Sequence, residues 1–221
     1  MYTGRTLRMT NDPDMKHPSR LTFSDFPETA EPFAPFDAWM AEAKAAEPRD
    51  PDAMALATVD AAGMPNVRMV LLKEWGPDGF VFYTNRESVK GHELDGQGRA
   101  ALALYWKSLS RQVRMRGEIA PVTMDESDAY FASRPRGAQI GAWASKQSQS
   151  LASREALQEA VEELEQKFGN DPVPRPPHWI GYRLVPIYVE FWTEQPYRLH
   201  ERIVYTRDAP DAPWSRKRLY P

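Results

Sequence analysis

The 221-residue sequence contains no cysteine, which excludes disulfide bonds, thiolate nucleophiles and cysteine-ligated zinc. It also lacks a secretory signal and any apolar run near the roughly 20 residues that a membrane-spanning helix requires. Its charge is nearly balanced, with 28 Lys and Arg residues against 31 Asp and Glu residues. Net charge therefore supports neither a nucleic-acid partner nor a membrane-surface role. We expect a cytoplasmic protein.

Motifs for metal, nucleotide and hydrolase chemistry are also missing. The sequence has neither a Walker pattern nor a Gly-x-Gly-x-x-Gly motif after a strand, so a bound nucleotide would not be held in a P-loop or Rossmann manner. No two of its four histidines have the i, i+4 spacing of helical metal ligands, and no Gly-x-Ser-x-Gly elbow is present. We expect no metal site and no nucleophile triad.

The composition, 42% apolar and 27% charged, is typical of a soluble globular protein. Residues 1–32 mix Pro, Asp, Thr and Arg without periodicity, which predicts a flexible N-terminal arm. Residues 33–221 show neither a repeat nor a boundary, and we expect them to form a single domain.

Hydrophobic periodicity predicts a mainly β protein with peripheral helices. Helices are predicted at 33–46, 88–94, 123–131 and 153–168. Strands are predicted at 53–59, 67–73, 80–84, 100–106, 111–119, 181–185, 187–192, 198–205 and 214–220. The first three strands are separated by short turns and predict an antiparallel meander, and the whole set predicts an antiparallel barrel.

Cationic and amide side chains interrupt several of the apolar strands. Arg198, His200 and Arg202 alternate along one predicted strand, so we expect them to share one face. Three such groups repel one another unless an anion or a cofactor lies among them, although a solvated polar face explains the pattern equally well. Further polar residues of this kind are Arg68, Lys73, Gln112 and Arg114.

Several of these residues belong to an ordered series of motifs. Near the C-terminus, Val189-Glu190-Phe191-Trp192 is followed after five residues by Arg198-Leu199-His200-Glu201-Arg202. Upstream stretches of the series are 68–73, 82–85, 111–113, 130–135, 139–143 and 146–148. From residue 33 to residue 221 the sequence resembles the pyridoxamine (pyridoxine) 5′-phosphate oxidases in the order and spacing of these motifs.

The resemblance implies an FMN-binding split β-barrel that works as a homodimer with two sites at the subunit interface. It further implies oxidation of pyridoxamine 5′-phosphate or pyridoxine 5′-phosphate to pyridoxal 5′-phosphate. A hydride equivalent would pass from C4′ of the substrate to N5 of FMN, and O₂ would then reoxidise the flavin to give hydrogen peroxide. FMN and substrate each carry a phosphate, which suits a site rich in cations.

The resemblance also assigns individual residues. FMN contacts are implied for Arg68, Met69, Val70, Leu71, Leu72, Tyr83, Thr84, Lys90, Gln112, Gln147, Ser148, Trp192 and Arg202. The substrate phosphate would be held by Lys73, Tyr130 and Arg134, while Arg198 and His200 would act as catalytic residues over the reacting carbon. The sequence departs from the family pattern at Val89, Ala138 and Thr193, and Ala138 replaces a serine.

Two other readings remain open at this point. One is a split-barrel flavin oxidase for a different aromatic substrate, as in phenazine biosynthesis. Lys73, Tyr130 and Arg134 disfavour it, because they suit a phosphate ester. The other is a protein that binds FMN or pyridoxal phosphate without turning anything over.

Overall fold

The computed structural model describes residues 26–221, which form nine strands and five α-helices. The helices are α1 (Phe33–Ala46), α2 (Val89–Gln97), α3 (Met124–Ser133), α4 (Arg136–Ala144) and α5 (Arg154–Phe168). The strands are β1 (Ala53–Val59), β2 (Pro65–Leu71), β3 (Glu74–Gly76), β4 (Gly79–Asn85), β5 (Arg99–Trp106), β6 (Arg111–Pro121), β7 (Trp179–Thr193), β8 (Glu201–Thr206) and β9 (Ser215–Leu219). Short 3₁₀ turns occupy Lys107–Leu109 and Pro196–Arg198.

The predicted helix starts are confirmed together with their caps. Ser88 accepts a hydrogen bond from Gly91 N (3.3 Å) at the start of α2. Thr123 and Glu126 form a reciprocal capping box at the start of α3. These side chains satisfy amide groups that have no partner within the helix, which explains why α2 and α3 begin where they do.

All nine strands belong to one antiparallel sheet, built around the 15-residue strand β7. The main order is β2-β1-β5-β6-β7-β4-β3, while β8 pairs with β7 and β9. The first half of β7 pairs with β4 and its second half pairs with β8, so the neighbour on this side of β7 changes halfway along the strand. Between β2 and β3, no backbone ladder among the described residues closes the sheet. The predicted mainly β architecture with peripheral helices is confirmed.

The predicted meander of the first three strands is wrong. β1 and β2 form a hairpin, but β4 pairs with β7 and not with β2. The predicted strands 181–185 and 187–192 are one strand, β7, with a bulge opposite Arg116 and Gly117. The bulge accommodates Pro186, which has no amide hydrogen for the ladder. Only glycine fits at position 117, because an added Cβ would lie 1.9 Å from Val185 O.

The predicted strand 198–205 begins three residues later, at Glu201. Arg198 lies in the 3₁₀ turn and His200 precedes β8, so the prediction that Arg198, His200 and Arg202 alternate along one strand is wrong. Tyr197 and Arg198 have left-handed backbone conformations (φ 59° and 61°), which no strand accommodates. The segment 136–144, read from sequence only as a motif, forms the helix α4.

The main core lies between α1 and the inner face of the sheet, where Phe36, Leu56 and Phe80 are fully buried. A second apolar cluster joins α3, α4 and α5 to the start of β7. Most of the predicted N-terminal arm lies outside the described residues. Within residues 26–32, Phe26 is buried and packs against Trp39 and Phe191.

Candidate active site

A cavity of about 640 Å³ opens between β2, β4 and the corner that joins α3 to α4. Many of the predicted site residues line it, namely Met69, Val70, Leu71, Lys73, Tyr83, Thr84, Lys90, Tyr130, Arg134 and Gln147. Trp179 and Ala138 line it as well. Elements that are distant in sequence thus bring the residues predicted for the substrate phosphate and many predicted cofactor residues into one space.

A stack of aromatic rings forms one wall of the cavity. The ring of Tyr83 lies parallel to those of Tyr130 and Trp179, with centroids 4.1 and 5.1 Å away. The Arg134 guanidinium lies 4.7 Å from the centre of the Trp179 ring. Arg134 Nη1 is buried and finds no hydrogen-bond partner among residues 26–221, and burial lowers the pKa of this guanidinium. A half-buried cation on a cavity wall with one unpaired nitrogen suits the binding of an anion.

Lys73 lines the same cavity, just beyond the end of β2. Its Nζ donates to Asp52 Oδ2 at 2.7 Å, so its charge already has a partner. Tyr83 donates to Glu74 Oε1 at 3.0 Å, and its pKa is raised, first by burial and then by this carboxylate. Of the cavity's cations, Arg134 is therefore better placed than Lys73 to attract an anionic ligand.

The start of α2 forms a second cationic part of the cavity. Lys90 Nζ donates to Ser88 Oγ (3.1 Å) and to Gln147 Oε1, both of which are uncharged acceptors. Burial and the nearby charge of Arg68 lower the pKa of Lys90 to about 8. Ser148 Oγ accepts from Val89 N at 3.3 Å, which ties the 147–148 loop to this helix. The helix N-terminus and the lysine together favour an anion here.

Arg68 is placed next to this helix by a buried carboxylate. Its Nη2 lies 3.2 Å from Glu93 Oε2, and its Nη1 donates to Leu56 O (3.2 Å) and to Thr58 Oγ1. Burial alone would raise the pKa of Glu93, but hydrogen bonds from Thr58 and Asn66 and the charge of Arg68 outweigh it and lower that pKa. Arg68 is thus paired within the chain, so burial by itself gives no reason to assign it a ligand.

The other predicted site residues lie around the end of β7 and the start of β8. Gln112 is directly opposite Trp192 in the β6–β7 ladder, and Trp192 is opposite Arg202 in the β7–β8 ladder. The His200 ring lies 4.6 Å from that of Trp192, and His200 Nδ1 accepts from Gln195 N at 3.2 Å. An accepting Nδ1 leaves the proton of the neutral imidazole on Nε2.

The residues around the end of β7 and the start of β8 are called the C-terminal group here: Gln112, Trp192, Arg198, His200 and Arg202. The buried carboxylate of Glu190 lies next to this group. This carboxylate is 2% exposed, and Arg202 binds it through two nitrogens at 2.9 and 3.0 Å. Arg114 Nη2 lies 2.6 Å from the same carboxylate, and Tyr188 donates to it. Burial alone would raise the pKa of Glu190, but these hydrogen bonds outweigh it and lower that pKa to about 2.

The cavity and the C-terminal group lie at opposite ends of β7. Tyr83 and Thr84 in the cavity are paired with Gly181 and Ile180 near the start of the strand. Trp192 is eleven residues beyond Gly181, which corresponds to roughly 35 Å along a regular strand. None of the residues at the far end of β7 lines the cavity. The fold therefore brings the predicted residues together as two sets, not one.

Leu72 is buried in the main core, so its side chain does not reach the cavity. Sequence reasoning missed Trp179, Glu93 and Glu190. Glu190 had a usable signal, because it is a lone acid within an apolar strand. Trp179 and Glu93 had none, since an aromatic residue that starts a strand and an acid on a short helix are both ordinary.

Residues 26–221 contain no cluster of His, Asp and Glu side chains that could hold a metal ion. Within the same range, no helix has the length and apolar character needed to cross a membrane.

Comparison with known proteins identifies the class first. A family model described as pyridoxamine 5′-phosphate oxidase matches residues 40–168. A second model, described as the pyridoxine 5′-phosphate oxidase C-terminal dimerisation region, matches residues 179–221. A Nostoc punctiforme protein described as pyridoxamine 5′-phosphate oxidase-related and FMN binding superposes with a TM-score of 0.69 at 18% identity, covering 87% of this chain and 100% of that one. The fold is the split β-barrel of FMN-binding proteins.

Individual relatives then specify the family. The pyridoxine/pyridoxamine 5′-phosphate oxidase of Nitrobacter hamburgensis is 58% identical over 96% of this chain and 100% of its own length. That of Brucella abortus is 52% identical over 97% and 99%. The structure of PhzG from Burkholderia lata, solved with tetrahydrophenazine-1-carboxylic acid, has a TM-score of 0.83 and 33% identity over 91% of this chain and 98% of that one. The chain belongs to the pyridoxine/pyridoxamine 5′-phosphate oxidase family and is an oxidoreductase.

Proposed function

We propose that this protein uses FMN to oxidise pyridoxine 5′-phosphate and pyridoxamine 5′-phosphate to pyridoxal 5′-phosphate. The observation that carries the proposal is the half-buried Arg134 guanidinium, whose buried Nη1 has no partner among residues 26–221, in a cavity that has a second cationic point at Lys90. Two anion-binding points suit two phosphates, one on the cofactor and one on the substrate. FMN and these substrates are the phosphorylated pair that the family relationship suggests.

The start of α2 fits the phosphate of FMN. Lys90 is half-buried there with uncharged partners, and Ser148 and the helix N-terminus supply further hydrogen-bonding groups. Met69, Val70 and Leu71 line the adjacent cavity wall with apolar surface, as a flavin ring requires. Arg68 would add positive charge from its fixed position on Glu93.

The α3–α4 corner fits the substrate phosphate. Arg134 would pair with it, and Tyr130 and Lys73 line the same part of the cavity. The parallel rings of Tyr83, Tyr130 and Trp179 define a flat apolar wall next to this cation. Such a wall excludes water from an aromatic substrate and limits its orientations.

When bound, FMN would supply the acceptor for the hydride equivalent from C4′ and would pass two electrons on to O₂, giving hydrogen peroxide. The chain's own task is to hold and orient the substrate. His200 would donate from Nε2 toward the oxygen or nitrogen on C4′, because its Nδ1 already accepts from Gln195 N. Arg198 would face the same group from the adjoining turn, whose left-handed residues fix its direction.

We further propose a homodimer in which each site combines two chains. The cavity set would come from one subunit, and Gln112, Trp192, Arg198, His200 and Arg202 from its partner. The strand-length separation of the two sets supports this, as does the similarity of residues 179–221 to a dimerisation region. Exposed apolar side chains on the edge strand β2, Val67 and Met69 at 65% and 64%, supply surface for the contact.

Oxidation of a different aromatic substrate is the second candidate, and the structural similarity to PhzG favours it. Arg134 does not by itself separate the two, because a carboxylate on an aromatic substrate would pair with this cation as a phosphate does; oxygen uptake with pyridoxine 5′-phosphate separates them.

Oxygen uptake by the FMN-loaded protein tests the proposal. We expect uptake with pyridoxine 5′-phosphate, an equal amount of hydrogen peroxide, and a much higher KM for unphosphorylated pyridoxine. Heat should release FMN, one per chain. Release of FAD, or FMN binding without any oxygen uptake on either phosphate ester, would contradict the proposal.

A further inference from the structure

Gln139 is a buried amide in the α3–α4 corner to which neither the motif series nor the proposed reaction gives a role. It lies in the first turn of α4 and is 9% exposed. Its Nε2 donates to Phe131 O (3.0 Å) and to Ala132 O (3.2 Å). These carbonyls belong to the last turn of α3, which has no following helical amides to bond. The side chain of one helix therefore caps the end of the other.

The capped turn leads directly into Arg134. The backbone of Arg134 is extended (ψ 148°), as expected for a residue before proline, and Arg134 N donates to Phe131 O at 3.2 Å. Phe131 O is thus shared between the Gln139 side chain and the Arg134 backbone. Gln139 N itself donates to Pro135 O at 3.1 Å. The backbone of Gln139 therefore bonds to the start of α4, while its side chain bonds to the end of α3.

Arg134 depends on this corner for its direction. Its guanidinium stacks on Trp179 and Phe131, with ring-centre distances of 4.7 and 5.6 Å. Within residues 26–221 no carboxylate forms an ion pair with it and Nη1 has no acceptor. Ring stacking tolerates sliding of the guanidinium, so the backbone position decides whether Nη1 points at a ligand.

We propose that Gln139 is a positioning residue that aims Arg134 at the phosphate of the substrate and so sets the preference for 5′-phosphorylated substrates. Glutamine suits this role because it donates two hydrogen bonds without carrying charge into an apolar corner. A glutamate would set a carboxylate against two carbonyl oxygens, and a methionine would fill the space without donating. The inference rests on the proposed function.

Gln139→Met is the test, with Gln97→Met as the matched control. Gln97 Nε2 also donates to a backbone carbonyl, Asp60 O at 3.2 Å, but it is exposed and lies outside the cavity. We expect Gln139→Met to raise KM for pyridoxine 5′-phosphate about tenfold, the effect of misaligning one charged hydrogen bond, with kcat nearly unchanged. Values for unphosphorylated pyridoxine should not change, and Gln97→Met should match wild type on both.

Calorimetric titration of the FMN-loaded protein gives a readout independent of turnover. The probe is 4-deoxypyridoxine 5′-phosphate, which lacks the reacting hydroxyl, with 4-deoxypyridoxine as its unphosphorylated counterpart. Gln139→Met should weaken binding of the phosphorylated probe only. Because Gln139 would act through Arg134, adding Gln139→Met to Arg134→Ala should cause no further loss.

Equal weakening of both probes, or additive losses in the double variant, would show that Gln139 merely stabilises the fold. Wild-type behaviour of Gln139→Met would overturn the inference while leaving the proposed function intact. Absence of oxidation of pyridoxine 5′-phosphate by wild type would instead refute the proposed function. If Gln139→Met does not fold, Gln139→Asn, a shorter donor, replaces it with the same expectations.

Discussion

At the scale of single residues, Arg68 and Arg134 show how differently two partly buried arginines can be used. Arg68 is bound to Glu93 and two oxygen atoms of β1, so its position is fixed before any ligand arrives. Arg134 rests on aromatic rings with Nη1 unpaired among the described residues. The first arrangement presents a fixed charge, while the second is completed only by an anion.

Lys90 predicts a pH-dependent affinity for FMN. Its pKa is lowered to about 8, mainly by burial and then by Arg68, so the free protein loses this charge above pH 8. A phosphate would stabilise the protonated form, so binding takes up a proton and the Kd should rise with pH. Between pH 7 and pH 9 we expect Kd to increase up to about tenfold.

Titration of the apoprotein with FMN, followed by flavin fluorescence, measures this dependence. Lys90→Met should bind more weakly and lose the rise above pH 8, whereas exposed Lys107→Met should keep it. An unchanged pH profile in Lys90→Met would mean that another group titrates.

Replacement of Ala138 by serine is predicted to tighten substrate binding. Ala138 lines the cavity beside Arg134, where the family pattern has serine. Ala138→Ser should add one hydrogen bond to the substrate phosphate, roughly 1.5–3 kcal/mol, and lower KM about tenfold at nearly constant kcat. Water already bound at this position would reduce the gain.

Steady-state kinetics on pyridoxine 5′-phosphate decide this, with Ala45→Ser, exposed on α1 and outside the cavity, as the control. A change in kcat at constant KM would place Ala138 away from the phosphate.

At the scale of elements, the candidate site residues are arranged along β7 and the strands that pair with it. The first half of β7 carries the pairing partners of Tyr83 and Thr84, and its second half carries Glu190 and Trp192. Glu190 links three strands, because Arg114 is on β6 and Arg202 is on β8. A buried carboxylate with two arginines holds these strands in one arrangement at this end of the sheet.

The lowered pKa of Glu190 also predicts that the free energy of unfolding falls in acid. Its pKa is depressed to about 2 in the folded protein, so its contribution to stability is complete above the unfolded pKa and is lost as pH falls toward 2. Between pH 7 and pH 3 this group alone should reduce the free energy of unfolding by about 2 kcal/mol. Urea unfolding at both pH values measures the loss.

Glu190→Gln should be less stable than wild type at pH 7, because both arginines lose a charged partner, yet it should lose less stability between pH 7 and pH 3. The exposed Glu159→Gln is the control. Equal acid-induced losses in Glu190→Gln and wild type would refute the assignment.

Local sequence signals specified many elements but not their long-range pairing. The period of Phe36, Met40 and Ala43 predicted α1, and the caps Ser88 and Thr123 predicted two helix starts. The pairing of β4 with β7 joins residues about a hundred positions apart, and no local pattern records it. Many residues of the motif series line the cavity, although their assignment to FMN and substrate stays a prediction, whereas the carboxylates that position Arg68 and Arg202 appear only in three dimensions.

At the scale of the whole molecule, the proposed site needs residues from both sets, and a homodimer would bring them together. Each chain offers a cavity near the start of β7 and a C-terminal group at its end. In a symmetric dimer these would meet across the interface twice, giving two equivalent sites. The chain would thus be the folding unit, and the dimer would be the catalytic unit.

The central claim is that each functional site takes its cavity from one subunit and its C-terminal group from the partner. Co-expression of differently tagged Arg134→Ala and Arg198→Ala chains, followed by purification on both tags, yields the hybrid dimer. Each parent homodimer should be strongly impaired at low concentrations of pyridoxine 5′-phosphate. In the hybrid, one site would carry both substitutions and the other neither, so oxygen uptake should recover to about half the wild-type rate. A hybrid as inactive as its parents would place the whole site within one chain and contradict the claim.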